Sequence, residues 1–414
     1  MSALLILIFY FAFFCWGFHI YDLPKKLGLS LRVVILLFGV KVIFGCLNLY
    51  FHNSEYIATD AHNYYTQVLE MLTDFPSRPV YYLNDWIFNW SEISTHLNIL
   101  DKSNAIYWSD IGRLFHQRFL IVTTILSFGH EYVNIVFYNV FFFIGLLGLY
   151  KTFIYFKPDQ KWIFILIIFF IPSITFWCSA INKDGFVLSL IGYVSWATLS
   201  FIKTKTWRNT LLLIFLLFLL LVVRYFYFLI FFPLFLLFFL VRKNRRPFYS
   251  FLGIVLIGIC GFLFINQLIP GLDLMQLVVK RQQEFLQAKG YSDLMTPELE
   301  NNAMSFISSF PIAISHIFIE PIQNMGNKLK YDLAAFDSIL ILVLIFIALI
   351  KLKRKNFSIA FLWVLLFYSV ICLIFIGYTI PNLGAIVRYE SPFICLLLLS
   401  LFALGNFEFK RIKL

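Results

Sequence analysis

Apolar runs of about 20 residues recur from one end of the chain to the other, and that is the length of helix needed to cross a hydrocarbon layer. In lipid, every backbone N–H and C=O must be satisfied within the protein, so runs of this kind fold as helices. A water-soluble fold fails on arithmetic. The 414 residues are 61% hydrophobic and only 13% charged, about half the charge of an ordinary soluble domain. They carry more apolar surface than a core of this size can hide. The spacing predicts an all-α, polytopic transmembrane helical bundle of about 11 spans, a single integral-membrane domain over 1–414. The spans are expected near 2–21, 33–50, 131–150, 161–177, 185–202, 208–223, 226–241, 248–268, 334–350, 357–377 and 384–403. The first run has no basic segment before it and no small-residue cleavage site after it, so it is read as a retained helix.

The net charge of +11 would suit nucleic acid if it formed one face, but it does not. Lys and Arg collect between apolar runs: Lys25-Lys26, Lys203-Lys205-Arg208, Arg242-Lys243-Arg245-Arg246 and Lys351-Lys353-Arg354-Lys355. Such clusters stay on the cytoplasmic side and set topology. Placing them inside puts the N-terminus outside and Lys410-Arg411-Lys413 at the C-terminus inside. The inner loops and tail then hold 20 of the 33 Lys/Arg but three of the 22 acids. The expected location is a bacterial inner membrane, with the lipid bilayer as a partner and no nucleic acid. The six cysteines stand singly, with no CxxC pair and no disulfide framework.

Two segments on the opposite side, about 51–130 and 269–333, are too long to be plain connections. Both contain amphipathic stretches, Ile111 to Phe128 and Leu274 to Leu286, expected as helices at the outer leaflet. The 34-residue apolar-rich stretch 208–241 has Arg224 near its middle. One helix of that length overshoots the bilayer, so two short helices meeting at Arg224 are expected.

Polar residues gather at five outer places: Thr59 to Tyr65, including Asp60, Tyr64 and Tyr65; Ser77-Arg78-Pro79 with an aromatic run over 81–108; Pro172 to Gly185, including Lys183-Asp184; Arg224-Tyr225; and Asn382 to Pro392, including Arg388-Tyr389. Taken singly, each has a plain reading. Asp60 is a solvated carboxylate or a helix cap, Lys183-Asp184 an interfacial ion pair, and the arginines snorkel to headgroups. The tyrosines and tryptophans form an interfacial belt. Taken together on one face, a carboxylate and several fixed cations suit an anionic lipid head and a hydroxyl nucleophile. Asp60-x-His62 is too small a donor set for a metal, so no metal or other cofactor is expected. No phosphate loop, HExxH or nucleophile elbow occurs.

These motifs resemble the GT-C superfamily of integral-membrane glycosyltransferases, in particular bacterial members associated with surface-polysaccharide assembly. The resemblance rests on Asp60-Ala61-His62-Asn63-Tyr64-Tyr65, Pro172-Ser173 through Asn182-Lys183-Asp184-Gly185, Val223-Arg224-Tyr225, and Gly384 through Arg388-Tyr389 to Pro392. It implies a polyprenyl-phosphate-linked sugar donor, inversion at the anomeric carbon, and Asp60 as catalytic base. The implied substrate-binding residues are Arg224, Arg388, Lys183, Asp184, Tyr64, Tyr65, Arg78 and Tyr389, and the acceptor is a glycan, lipid or protein. The chain departs from the family pattern in having one acid at Asp60 where many members have a pair, and in its extra first span. Two rival readings remain. An O-antigen-type polymerase or ligase would place the key loop in 269–333. A lipid-linked sugar flippase or transporter would call for internal repeats and an acid relay within the spans, neither of which the sequence displays.

Overall fold

The computed structural model describes residues 3–54, 60–79, 105–244, 246–269, 273–287, 292–326, 329–353, 359–405 and 407. These form helices joined by short turns, with no strand among the described residues beyond two isolated bridges. In chain order the main helices are α1 (Ala3–Ile20), α2 (Leu31–Ser54), α3 (Asp60–Asp74), α4 (Ala105–Leu126), α5 (Glu131–Phe156), α6 (Lys161–Phe170), α7 (Pro172–Trp177) and α8 (Lys183–Thr204). They continue with α9 (Trp207–Val223), α10 (Tyr225–Val241), α11 (Pro247–Leu268), α12 (Leu274–Gln287), α13 (Ala303–Phe318), α14 (Leu329–Ile350), α15 (Ala360–Thr379) and α16 (Leu383–Leu404).

Eight of them (α1, α2, α5, α8, α11, α14, α15 and α16) are long and apolar enough to cross a membrane. The chain is therefore a multi-pass, all-α membrane protein by the length and composition of its helices. Two of the sequence expectations resolve differently from one another. The interruption at Arg224 is present: α9 and α10 have 17 residues each, and Arg224 between them leaves helical geometry at φ −152° and ψ 86°. The expected continuous span 161–177 is instead broken at Ile171, which is extended at φ −71° and ψ 124°. Pro172 is the reason, because its ring pushes the preceding residue out of helical conformation. Helices also form over both amphipathic stretches, as α4 and α12.

The helices form two compact units. The first comprises 1–98, 106–152 and 175–225. Its core is aromatic: Phe38 of α2 meets Phe11 and Phe18 of α1 and Phe143 of α5 at ring separations of 5.1–5.4 Å. Where α5 crosses α8 the backbones touch. A Cβ on Gly145 would lie 2.5 Å from the Ser189 carbonyl oxygen, and one on Gly192 would strike that of Gly145. Small residues at this crossing let helices without a hydrophobic drive between them gain dispersion contact.

The second unit comprises 99–105, 153–174 and 226–414. Its centre is α16, whose most apolar window is 89% buried, against 6% for α11. Leu and Phe cover α16 on all sides, as a helix surrounded by others requires. The segment after α12 is tied to its start: Leu383 N–H donates to Ser292 O at 3.0 Å, Leu294 N–H to Pro381 O at 2.7 Å, and Asn382 caps the helix through Ala385 N–H at 3.0 Å.

Candidate functional site

In the first unit, the turn between α7 and α8 is held by side chains that reach its carbonyls. The last carbonyls of a helix have no partner of their own. Here Lys41 Nζ donates to Cys178 O at 2.6 Å, Asn139 Nδ2 to Ser179 O at 2.9 Å, and Asn182 Nδ2 to Trp177 O at 2.9 Å. The Asn182 side-chain oxygen then accepts from Asp184 N–H and Gly185 N–H at 3.1 and 3.2 Å, which starts α8. This cap fixes the buried Asp184 carboxylate at the first turn of the helix. Arg224, where the helix breaks after α9, reaches Asp184 Oδ1 at 3.5 Å; the side chains are 16% and 1% exposed.

Two motifs 40 residues apart in sequence thus meet in one ion pair. Lys183 is adjacent and half-buried. The fully buried Lys41 is near enough that both it and Asp184 act electrostatically on Cys178. Arg224 and Asp184 thus form an ion pair withdrawn from water, beside the turn that Lys41 also holds.

Helix α4 passes the same region. A Cβ on Gly112 would fall 2.7 Å from the Val223 carbonyl oxygen, immediately before Arg224, so only glycine permits this approach. One turn further on, the buried His116 meets Tyr138 through Nε2 at 3.4 Å and the Tyr64 ring at 5.2 Å. Gln117 donates to Gln67 at 2.6 Å, holding α3 to α4. Tyr64 is thereby placed beside the cluster's α4 wall. Asp60 opens α3 one turn before Tyr64, and its carboxylate lies outside the described residues, as do the aromatics over 80–104.

Tyr65 lies on the same helix as Tyr64. Its hydroxyl donates to Gly129 O at 2.6 Å, and burial together with the Glu131 carboxylate pushes the phenol pKa up. It latches α3 to the end of α4. Arg78 is exposed in the turn after α3.

Arg388 and Tyr389 belong to the second unit. The Arg388 guanidinium lies 4.6 Å from the Tyr389 ring centre and donates to its hydroxyl at 2.7 Å. Tyr389 meets Phe285 of α12 edge-on at 6.0 Å, and Arg281 lies over the other aromatic at 4.5 Å. A row Arg281, Phe285, Tyr389, Arg388 therefore joins α12 to α16.

No family model, curated protein or solved structure matches this chain.

Sequence reasoning passed over four buried or half-buried charges. Lys41 stands alone in an apolar run and its partner carbonyl is 137 residues away. Arg281 was absorbed into an amphipathic pattern. Asp337 and Glu390 lie inside expected spans, and both residues are buried, at 4% and 2% exposure. Lys41 had a usable signal, because a lysine midway along a span needs a named partner.

Proposed function

We propose that the chain is a membrane glycosyltransferase of the GT-C kind. It moves a sugar from a polyprenyl-phosphate donor to a glycan, lipid or protein acceptor on the extracytoplasmic face of a bacterial inner membrane, in surface-polysaccharide or glycoconjugate assembly. The observation that carries the reading is the buried Arg224–Asp184 pair at the helix break, with Lys183 next to it in sequence. It is a fixed guanidinium beside helices long enough to hold a lipid tail in the bilayer. The orientation follows from the basic loops, which put 51–130 and 269–333 outside.

In the proposed reaction the acceptor hydroxyl oxygen attacks the anomeric carbon while the bond from that carbon to the phosphate oxygen breaks. The bonding pair leaves with the phosphate, and the hydroxyl proton passes to Asp60 as general base. Arg224 and Lys183 stabilise the charge growing on the phosphate. Asp184 holds Arg224 in place, so it is a positioning residue. Tyr64 lines the approach from α3. The reaction needs no metal.

A second reading has one specific observation in its favour. The Arg281 to Arg388 row joins α12, within the later of the two long segments, to α16, where an O-antigen-type polymerase or ligase would hold a lipid diphosphate.

The test is purified protein in lipid vesicles given two radiolabelled donors in turn, a polyprenyl-phosphate monosaccharide and a polyprenyl-diphosphate oligosaccharide. Release of polyprenyl phosphate with sugar transfer from the first supports the transferase. Reaction with the second alone selects the polymerase or ligase. Movement of either lipid across the bilayer without release of sugar refutes both.

A further inference from the structure

Helix α13 carries no Lys, Arg, Asp or Glu; the nearest charged residues are Glu300 before it and Glu320 after it. Its two sides meet different surroundings. Phe306, Ser309, Ala313, His316 and Ile317 are buried. On that side the Phe306 ring lies 5.3 Å from Phe262 of α11, and Tyr378 of α15 donates its hydroxyl to Phe306 O at 2.6 Å. His316 Nδ1 donates to Gly377 O at 3.2 Å. A Cβ on Gly377 would strike the Ala313 carbonyl oxygen, so the backbones of α13 and α15 touch. The opposite side holds Met304, Ile307, Phe310, Pro311 and Ile312, all exposed, with Met304 and Ile307 at 74% and 61%. Ser308 among them turns its hydroxyl back to Ser305 O at 3.1 Å, so its one donor is used within the helix.

The depth of α13 follows from its neighbours. Phe262 lies about 9 Å before the end of α11 at Leu268, and Gly377 and Tyr378 are in the last turn of α15. Both α11 and α15 are long and apolar enough to cross a bilayer, which places α13 at the rim of the hydrocarbon layer. The α11 surface beside it is open to lipid, with 6% of its apolar window buried. Length and charge decide how far α13 goes in. Its 16 residues make a helix of about 24 Å, short of a hydrocarbon layer of roughly 30 Å. The basic clusters 242–246 before α11 and 351–355 after α14 belong on one side. Helices α11 and α14 cross once each, so a further crossing by α13 would separate the clusters. It therefore enters and leaves by the same face. Helix α12 is the contrast: the sequence marks it for the leaflet, yet its Met275, Leu277, Val278 and Val279 are buried in protein and it exposes Gln283 and Gln287.

We propose that α13 is a half-inserted helix, seated in the outer leaflet with its Met304, Ile307, Phe310 and Ile312 face against lipid acyl chains. Moving that face out of water is favourable in proportion to the apolar area covered, and Glu300 and Glu320 hold its two ends at the headgroups. The assignment does not depend on the transferase reading. Within 269–333, this face is the exception to labelling from water.

The experiment introduces single thiols for nitroxide labelling, Ile307→Cys and Ile312→Cys, in a chain that also carries Cys260→Ala, since Cys260 is exposed. The labelled protein is reconstituted in phosphatidylcholine vesicles. Electron paramagnetic resonance then reads collisions of the nitroxide with oxygen, which concentrates in acyl chains, and with a water-soluble nickel chelate. Met295→Cys, in a fully exposed turn, is the water reference, and Ile257→Cys, midway along α11 and 70% exposed, is the lipid reference. The oxygen-to-nickel ratio at positions 307 and 312 is expected to rise from the level at 295 to that at 257. Where one variant does not fold, the other and Met304→Cys read the same face. A ratio that stays at the level of position 295 would overturn the proposal by placing the face in water. Weak collision with both probes would also overturn it, because a protein partner would then stand where the lipid should be.

Discussion

Neutralising either end of the Arg224–Asp184 pair should cost more than neutralising both. At 3.5 Å and an effective dielectric of about 20, the attraction between unit charges is about 5 kcal/mol before desolvation is counted. Both side chains are largely withdrawn from water, so solvent screens little of it. Asp184→Asn leaves the guanidinium in place with its main counter-charge gone, and breaking a buried pair from one side costs about 3–5 kcal/mol. Arg224→Gln removes the carboxylate's ion-pair partner in the same way. The double variant removes both charges of the pair at once, so the sum of the single costs should exceed its cost by about 1–3 kcal/mol. The α8 cap is untouched throughout, because Asn182 receives the Asp184 main-chain N–H and not its carboxylate. The assay is reversible unfolding in mixed micelles for wild type, both single variants and the double. Costs that add to within about 0.5 kcal/mol would refute the coupling, and with it the claim that Asp184 positions Arg224.

Asp60→Asn keeps the shape of the side chain but removes the base, and should lower transfer from a polyprenyl-phosphate donor by roughly 10²–10⁴ with normal expression; Glu55→Gln should do far less, and full activity in Asp60→Asn would end the assignment. Gly192→Val should destabilise the first unit by about 1–3 kcal/mol, because its new atoms meet the Gly145 carbonyl; unchanged unfolding would show that α5 and α8 do not cross so closely. Lys41→Met removes the donor to Cys178 O and should cost about 1–3 kcal/mol through the stranded carbonyl, measured by the same micelle titration. In intact cells, thiols introduced near Lys243 or Lys353 should resist impermeant labelling while those in 269–333 react; the reverse pattern would invert the orientation.

Much of the helical layout was legible because an apolar run long enough to cross a bilayer has few other folds open to it. Arg224 was legible for a related reason: an apolar-rich run of 34 residues with an arginine near its middle is too long for one span, so the charge marks the break. Pro172 carried a similar signal and was outweighed, because the residues on both sides of it stay apolar and the run looks continuous. Helix α13 was not expected at all. Its serines and Pro311 dilute the pattern, and its place is secured by contact, with Ala313 pressed against Gly377 of α15.

The charges divide along a different line. A boundary motif such as Asn182-Lys183-Asp184 advertises itself locally, through a cap residue followed by an acid in the first helical turn. Lys41 does not, since it is one charge in an apolar run, and what gives it meaning is a partner far along the chain. The kind of partner then decides what each charge can do. Asp337 accepts from the Ser173 main-chain N–H and Lys41 donates to the Cys178 carbonyl, so each fixes backbone beside a helix break. Arg224 meets a side-chain carboxylate instead, so the position of its guanidinium depends on Asp184. Donor turnover should therefore follow Arg224 and Asp184, and variants at Asp337 that lose stability but keep turnover in the folded protein would separate the two roles.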